Sequence, residues 1–169
     1  MNKICIIIPA YNEEMSIGKV INKSKKYGDV VVINDRSKDQ TKKIAKDCGA
    51  IVLNNIHNEG YDISILKGIK FALKKKYNYI LTIDADGQHP TNKINRFLYF
   101  INKDYDLVIG NRKKFPRFSE KLFNFYTNRV YSIPDTLCGM KCYSTKFLRT
   151  CNHKKYLNSI GTYYVFHAI

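Results

Sequence analysis

Two kinds of apolar pattern alternate along the chain. Short continuous runs rich in β-branched residues, the first being Ile4 to Ala10, read as strands buried on both faces. Similar runs recur at Val30 to Ile33, Ala50 to Asn55, Tyr79 to Asp84 and Asp106 to Arg112. Between them lie segments of helical periodicity. Tyr11 to Gly28 has Asn12 as N-cap, acids in the first turn and Gly28 as stop. A second helix begins near Ser37 to Asp39, and others span Asp62 to Tyr77 and Asn92 to Lys103. Alternation at these lengths implies right-handed βαβ units, hence an α/β fold with a mostly parallel sheet flanked by helices on both faces. With no repeat, low-complexity tract or linker, residues 1–169 are expected to form a single domain.

Past Arg112 the pattern loosens. Basic and aromatic residues mix from Lys113 to Arg129, and Phe115, Phe118, Leu122, Phe123 and Tyr126 recur at helical spacing, which suggests an amphipathic segment. Asp135 to Leu148 reads as a further strand and turn. Ligands of such sheets bind beyond the carboxyl ends of the strands. The polar groups found there are Tyr11, Asn12 and Glu13, then Asn34 and Asp35, then Asp84, Asp86 and Gln88, and finally Arg112. Four separate turns therefore converge on one edge.

Charge narrows the ligand. Against 14 acidic residues stand 29 Lys and Arg, a formal charge of +15, a field that draws phosphates, nucleic acid or anionic lipid. Thirteen tyrosines accompany it, yet no nucleic-acid-binding signature is present and the lysines scatter through every expected helix. The five cysteines form no paired framework and no secretory leader opens the chain, so reduced thiols and a cytoplasmic location are expected. No apolar run reaches the ~18 residues of a membrane-spanning helix; membrane contact would be peripheral, at the surface.

Asp84-Ala85-Asp86 supplies the sharpest chemistry. At a strand end, residues i and i+2 point the same way, so the two carboxylates could face one hard cation, Mg²⁺ or Mn²⁺, completed by substrate phosphates. The competing reading is a plain turn, since Asp and Gly are common in turns.

The order of segments decides between them. "IIIPAYNEE" (Ile6 to Glu14), "VVINDRSKDQT" (Val31 to Thr41), "NEGYDISILKGIKFAL" (Asn58 to Leu73), "DADGQHP" (Asp84 to Pro90), "YDLVIGNR" (Tyr105 to Arg112) and "DTLCGMKCYS" (Asp135 to Ser144) follow one another. The chain thereby resembles the family 2 glycosyltransferases, in particular the dolichyl-phosphate mannosyltransferases and related polyprenyl-phosphate glycosyltransferases. The resemblance implies a Rossmann-like GT-A fold, a nucleotide-sugar donor (UDP- or GDP-linked) and a divalent metal. It places Pro9, Tyr11, Glu13, Asp35, Asp84, Ala85 and Arg112 at the donor, with Asp35 meeting base or ribose. Asp84, Asp86 and Gln88 match the metal-approaching positions, and Arg112 is of the type that grips phosphate bidentately.

Departures are also visible. Asn34 stands in place of an Asp, Arg36 in place of a Gly, which would strain a turn requiring positive φ, and Asp62 in place of another Gly. Relatives generally continue beyond the "GTYYVFHAI" ending, so a C-terminal part is expected to be missing, and a shortened, inactive nucleotide-binding relative is an alternative reading.

The reaction implied is inverting sugar transfer, with Asp86, Arg112 and Asp135 as catalytic candidates. Arg112 and the metal would stabilise the departing diphosphate. A polyprenyl-phosphate acceptor needs no base, whereas a sugar hydroxyl in glycan or cell-envelope synthesis does. Asp135 is open to three roles: base, acceptor contact or turn cap. Arg129 is the candidate for an acceptor phosphate. Cys138, Cys142 and His153 have the types but not the spacing of a zinc site, and are expected to be ordinary residues.

Overall fold

The computed structural model describes residues 3–112, 118–153 and 159–169. Six strands form one sheet in the order β3-β2-β1-β4-β6-β5: β1 Ile4–Ala10, β2 Asp29–Asn34, β3 Ile51–Asn54, β4 Tyr79–Thr82, β5 Leu107–Ile109 and β6 Lys141–Ser144. β1 pairs in parallel with β2 and β4, and β2 with β3. β6 runs antiparallel to both β4 and β5, so the other five strands share one direction. The sheet is mostly parallel, as the alternating pattern required.

Period-two burial explains the two cores. Ile6, Ile8, Val30, Val32, Leu81 and Ile83 pack on one face against helices α1 (Ile17–Ser24), α2 (Thr41–Asp47) and α4 (Ile94–Ile101). Cys5, Ile7, Val31, Ile33, Ile80 and Tyr143 pack on the other against α3 (Tyr61–Lys74), α6 (Thr145–Thr150) and α7 (Ile160–His167). Gly68 lets α3 lie close on β1, since a Cβ there would come 2.6 Å from Ile7 Cγ2.

Several details differ from the sequence pattern. The helix after β1 starts at Ile17, and Asn12, at φ +55°, is outside it rather than capping it. The segment expected from Asn92 to Lys103 opens with a 3₁₀ turn, Thr91–Lys93. The amphipathic segment is helix α5, Phe118–Tyr131, but its polarity is inverted: Asn124 and Thr127 are buried, while Phe118, Leu122 and Tyr126 are exposed and Phe123 is half-buried. Phe115 lies outside the described residues.

Candidate active site

The carboxyl ends of β1, β2 and β4 and the segment after β5 open onto one cleft of about 500 Å³. Pro9, Tyr11 and Glu13 follow β1 into it. Their turn is laced to the turn after β2: the Asn12 amide donates to Ser37 Oγ at 3.1 Å, the Lys38 amide to Asn12 Oδ1 at 2.8 Å, and the Glu13 amide to Thr41 Oγ1 at 2.7 Å. These long-range bonds compete with helix formation and hold Tyr11 to Glu14 in an irregular turn.

Asp35, at the end of β2, is 5% exposed and lines the cleft. Its carboxylate accepts from Asn55 Nδ2 and from the Glu59 and Gly60 amides, all at 2.8 Å. It thus fixes the loop that leads into α3. Arg36 beside it has φ +62°, the conformation its glycine-replacing position made costly.

Both oxygens of Asp84 are engaged. Oδ1 accepts from the Tyr61 hydroxyl at 2.9 Å and Oδ2 pairs with His89 Nε2 at 2.7 Å. Burial pushes this carboxyl up, but the hydrogen bonds and charge of His89, with Tyr61 and Lys141, outweigh it and hold it below the usual carboxylate range. Gly139 packs directly over it, where any Cβ would collide with the carboxylate. Asp86 is exposed, and its Oδ1 accepts from the Gln88 amide at 2.9 Å.

Asp84, Ala85 and Asp86 line the cleft, whereas Gln88 lines a neighbouring cavity with Lys19, Lys23 and His89. Among the described residues no cluster of three or more His, Cys, Asp or Glu is arranged to hold a metal. Two carboxylates lining the cleft nevertheless fit Mg²⁺ or Mn²⁺, which takes one or two carboxylates and completes its shell with substrate phosphate and water. Asp86 is the more accessible of the two carboxylates; to meet a cation, Asp84 would have to exchange a hydrogen bond.

Arg112 lines the cleft with its guanidinium fixed from behind. Nε and Nη2 donate to the two Asp135 oxygens at 2.8 and 2.9 Å, the Arg112 amide donates to Oδ2 at 3.1 Å, and Glu120 lies 3.2 Å from Nη2. Asn124 Nδ2 adds a bond to Asp135 Oδ1 at 3.3 Å. Asp135 is 1% exposed; the geometry is none of the three roles the sequence left open but that of a positioning residue for Arg112. Arg129 is exposed in the last turn of α5 and does not line the cleft.

Two cleft residues escaped the sequence reading. Tyr61 opens α3 and meets Asp84. Lys141 is a lone charge inside the buried run from Met140 to Tyr143, and that mismatch was the available signal. The first turn of α7, from Ile160 to Thr162, also borders the cleft and is tied to α3 by the Ile160 amide donating to Asp62 at 3.0 Å. Cys138 and Cys142 are buried free thiols, and His153 pairs with the Tyr164 hydroxyl.

The family profile described as Glycosyl transferase family 2 matches residues 5–159. An uncharacterized protein of Methanocaldococcus jannaschii is 34% identical over 85% of this chain and 65% of its own length. The UDP-N-acetylglucosamine–dolichyl-phosphate N-acetylglucosaminyltransferase of Methanococcus voltae is 27% identical over 89% of this chain and 73% of its own. Among solved structures, glucosyl-3-phosphoglycerate synthase of Mycobacterium tuberculosis, in complex with Mn²⁺ and UDP-glucose, superimposes with a TM-score of 0.73 at 19% identity, over 89% of this chain and 58% of that one. The chain thus spans roughly two thirds of these curated relatives and little over half of that structure.

Proposed function

The chain belongs to glycosyl transferase family 2 and has the expected GT-A fold, and from that premise we propose that it moves a sugar, with inversion, from a nucleotide-diphosphate sugar to a polyprenyl phosphate. The observation that carries this reading is the convergence of Pro9, Tyr11, Glu13, Asp35, Asp84, Ala85, Asp86 and Arg112 on one cleft. Relatives named for transfer to dolichyl and undecaprenyl phosphate support the acceptor class.

In this reading the walls formed by Pro9, Tyr11 and Asp35 receive the nucleoside. Asp84 and Asp86 hold Mg²⁺ or Mn²⁺, which when bound neutralises charge on the diphosphate. Arg112 presents its guanidinium to the leaving phosphate, preorganised by Asp135 so that little reorientation is needed as charge develops. With Asp135 occupied by Arg112, the acid offered by the sequence as a base is engaged. That favours an acceptor whose phosphate oxyanion is already a nucleophile.

Among the described residues no helix is long and apolar enough to cross a membrane. The exposed Phe118, Leu122, Phe125 and Tyr126 on α5, next to Lys121, support peripheral contact with the surface that carries such an acceptor.

The test is calorimetric titration of UDP-sugars and GDP-sugars with Mn²⁺ and with EDTA, followed by transfer of labelled sugar to a polyprenyl phosphate. Metal-dependent binding of one nucleotide class, lost in Asp86→Ala, is expected. Donor binding indifferent to EDTA and to Asp86→Ala would overturn the metal assignment, and labelled product on a free sugar hydroxyl alone would overturn the acceptor.

A further inference from the structure

Lys141 enters the sheet from the cleft end of β6, and its side chain is 4% exposed. Its Nζ makes one hydrogen bond, to the Cys138 carbonyl. Among the described residues no carboxylate comes within 4 Å of it, so this buried ammonium has no ion-pair partner. Such a group is costly to desolvate unless its remaining donors are satisfied.

Those donors lie at the cleft, which Lys141 lines together with Arg112, Asp84 and the first turn of α7. A Cβ on Gly161, in that turn, would sit 3.2 Å from Nζ. The ammonium therefore abuts the first turn of α7, whose Ile160 amide is already taken by Asp62. The Lys141 ammonium and the Arg112 guanidinium line one cleft, the arrangement an incoming phosphate completes. Burial at this spot depresses the lysine's pKa to about 8, which is the cost expected of a cation waiting for its counter-ion.

We propose that the Lys141 ammonium is a phosphate-contacting residue of the cleft, donating to a phosphoryl oxygen of the ligand. It rests on the reading of the cleft as a site for phosphorylated substrates, and the phosphoryl oxygen has two possible sources: the nucleoside diphosphate or the acceptor monoester.

The experiment compares wild type, Lys141→Met and Lys141→Arg by calorimetry with inorganic pyrophosphate, UDP, GDP and geranyl phosphate, each with Mn²⁺. Melting curves establish that the variants fold. Lys141→Met is expected to weaken at least one of these ligands by about ten- to a hundredfold, the range of a charged hydrogen bond, and Lys141→Arg to recover part of the loss. Loss confined to pyrophosphate and the nucleotides assigns the contact to the leaving group; loss confined to geranyl phosphate assigns it to the acceptor. Should pyrophosphate binding depend on Lys141 while neither UDP nor GDP binds, the contact stands and the nucleotide-sugar reading falls. Equal affinities in wild type and a folded Lys141→Met, or no binding of any of the four to wild type, overturns the proposal.

Discussion

Replacing Asp135 with Asn separates its two candidate roles. The Asp135 side chain is fully buried, while that of Arg112 is 27% exposed, so the pair is half-solvated on one side only. Removing one partner of a wholly buried pair costs ~3–5 kcal/mol. Water reaching Arg112 and the nearby Glu120 reduce that here, and Asn keeps one acceptor oxygen. What is lost is one of the two charge-assisted side-chain bonds and the charge behind the other, about 2–3 kcal/mol. For a chain of 169 residues this corresponds to a fall in melting temperature of roughly 4–12 °C. Released from its fork, Arg112 regains rotamer freedom, and affinity for UDP or GDP with Mn²⁺ should fall about tenfold. Scanning calorimetry reads the first effect and titration calorimetry the second. A variant that melts like wild type and binds nucleotide equally well, yet transfers no sugar, would refute the positioning argument and restore Asp135 as a base.

Arg36→Gly should raise stability by a few tenths to about 1 kcal/mol, because it relieves the left-handed backbone while adding some unfolded-state entropy; urea unfolding measures it, and a loss of stability would contradict the strain. Gly139→Ala should abolish metal-dependent nucleotide binding and lower the melting temperature, since its methyl group displaces the Asp84 carboxylate; normal binding would show that the turn yields. Lys141, at about 8 when folded against 10.5 unfolded, binds a proton less readily in the native state. Stability should therefore rise as pH climbs through the window between them, by ~3 kcal/mol. Cys5 and Cys142, pushed up to about 12 by burial, pull the other way above about pH 9, so the quantity to follow is wild type minus Lys141→Met from pH 7.5 to 10.5; a flat difference would refute the burial cost.

Strands were legible where burial on both faces leaves an uninterrupted apolar run, as in Ile4 to Ala10 and Val30 to Ile33. The convergence of Tyr11, Asp35, Asp84 and Arg112 on one cleft was legible for a related reason: residues that follow parallel strands must emerge at one edge. What stayed hidden depends on contacts distant in sequence. Asn12 looked like a helix cap, but Ser37 and Lys38 take its hydrogen bonds. Asp135 offered a free carboxylate until Arg112, 23 residues away, was seen to occupy both oxygens. In α5 the apolar spacing was correctly helical, yet spacing cannot say which face turns inward, and here Asn124 turns in to meet Asp135.

The reversed strand β6 also sets an order of assembly. Among the described residues β5 has no neighbour in the sheet other than β6, and Arg112 is anchored by Asp135, just upstream of β6. As the chain leaves the ribosome, β1 to β4 can pair among themselves and form the wall expected to hold the nucleoside. Arg112 gains its support only after residues 135–144 have been made. A nascent or prematurely ended chain is thus left with half a cleft: the wall formed after β1, β2 and β4 without a fixed guanidinium facing it.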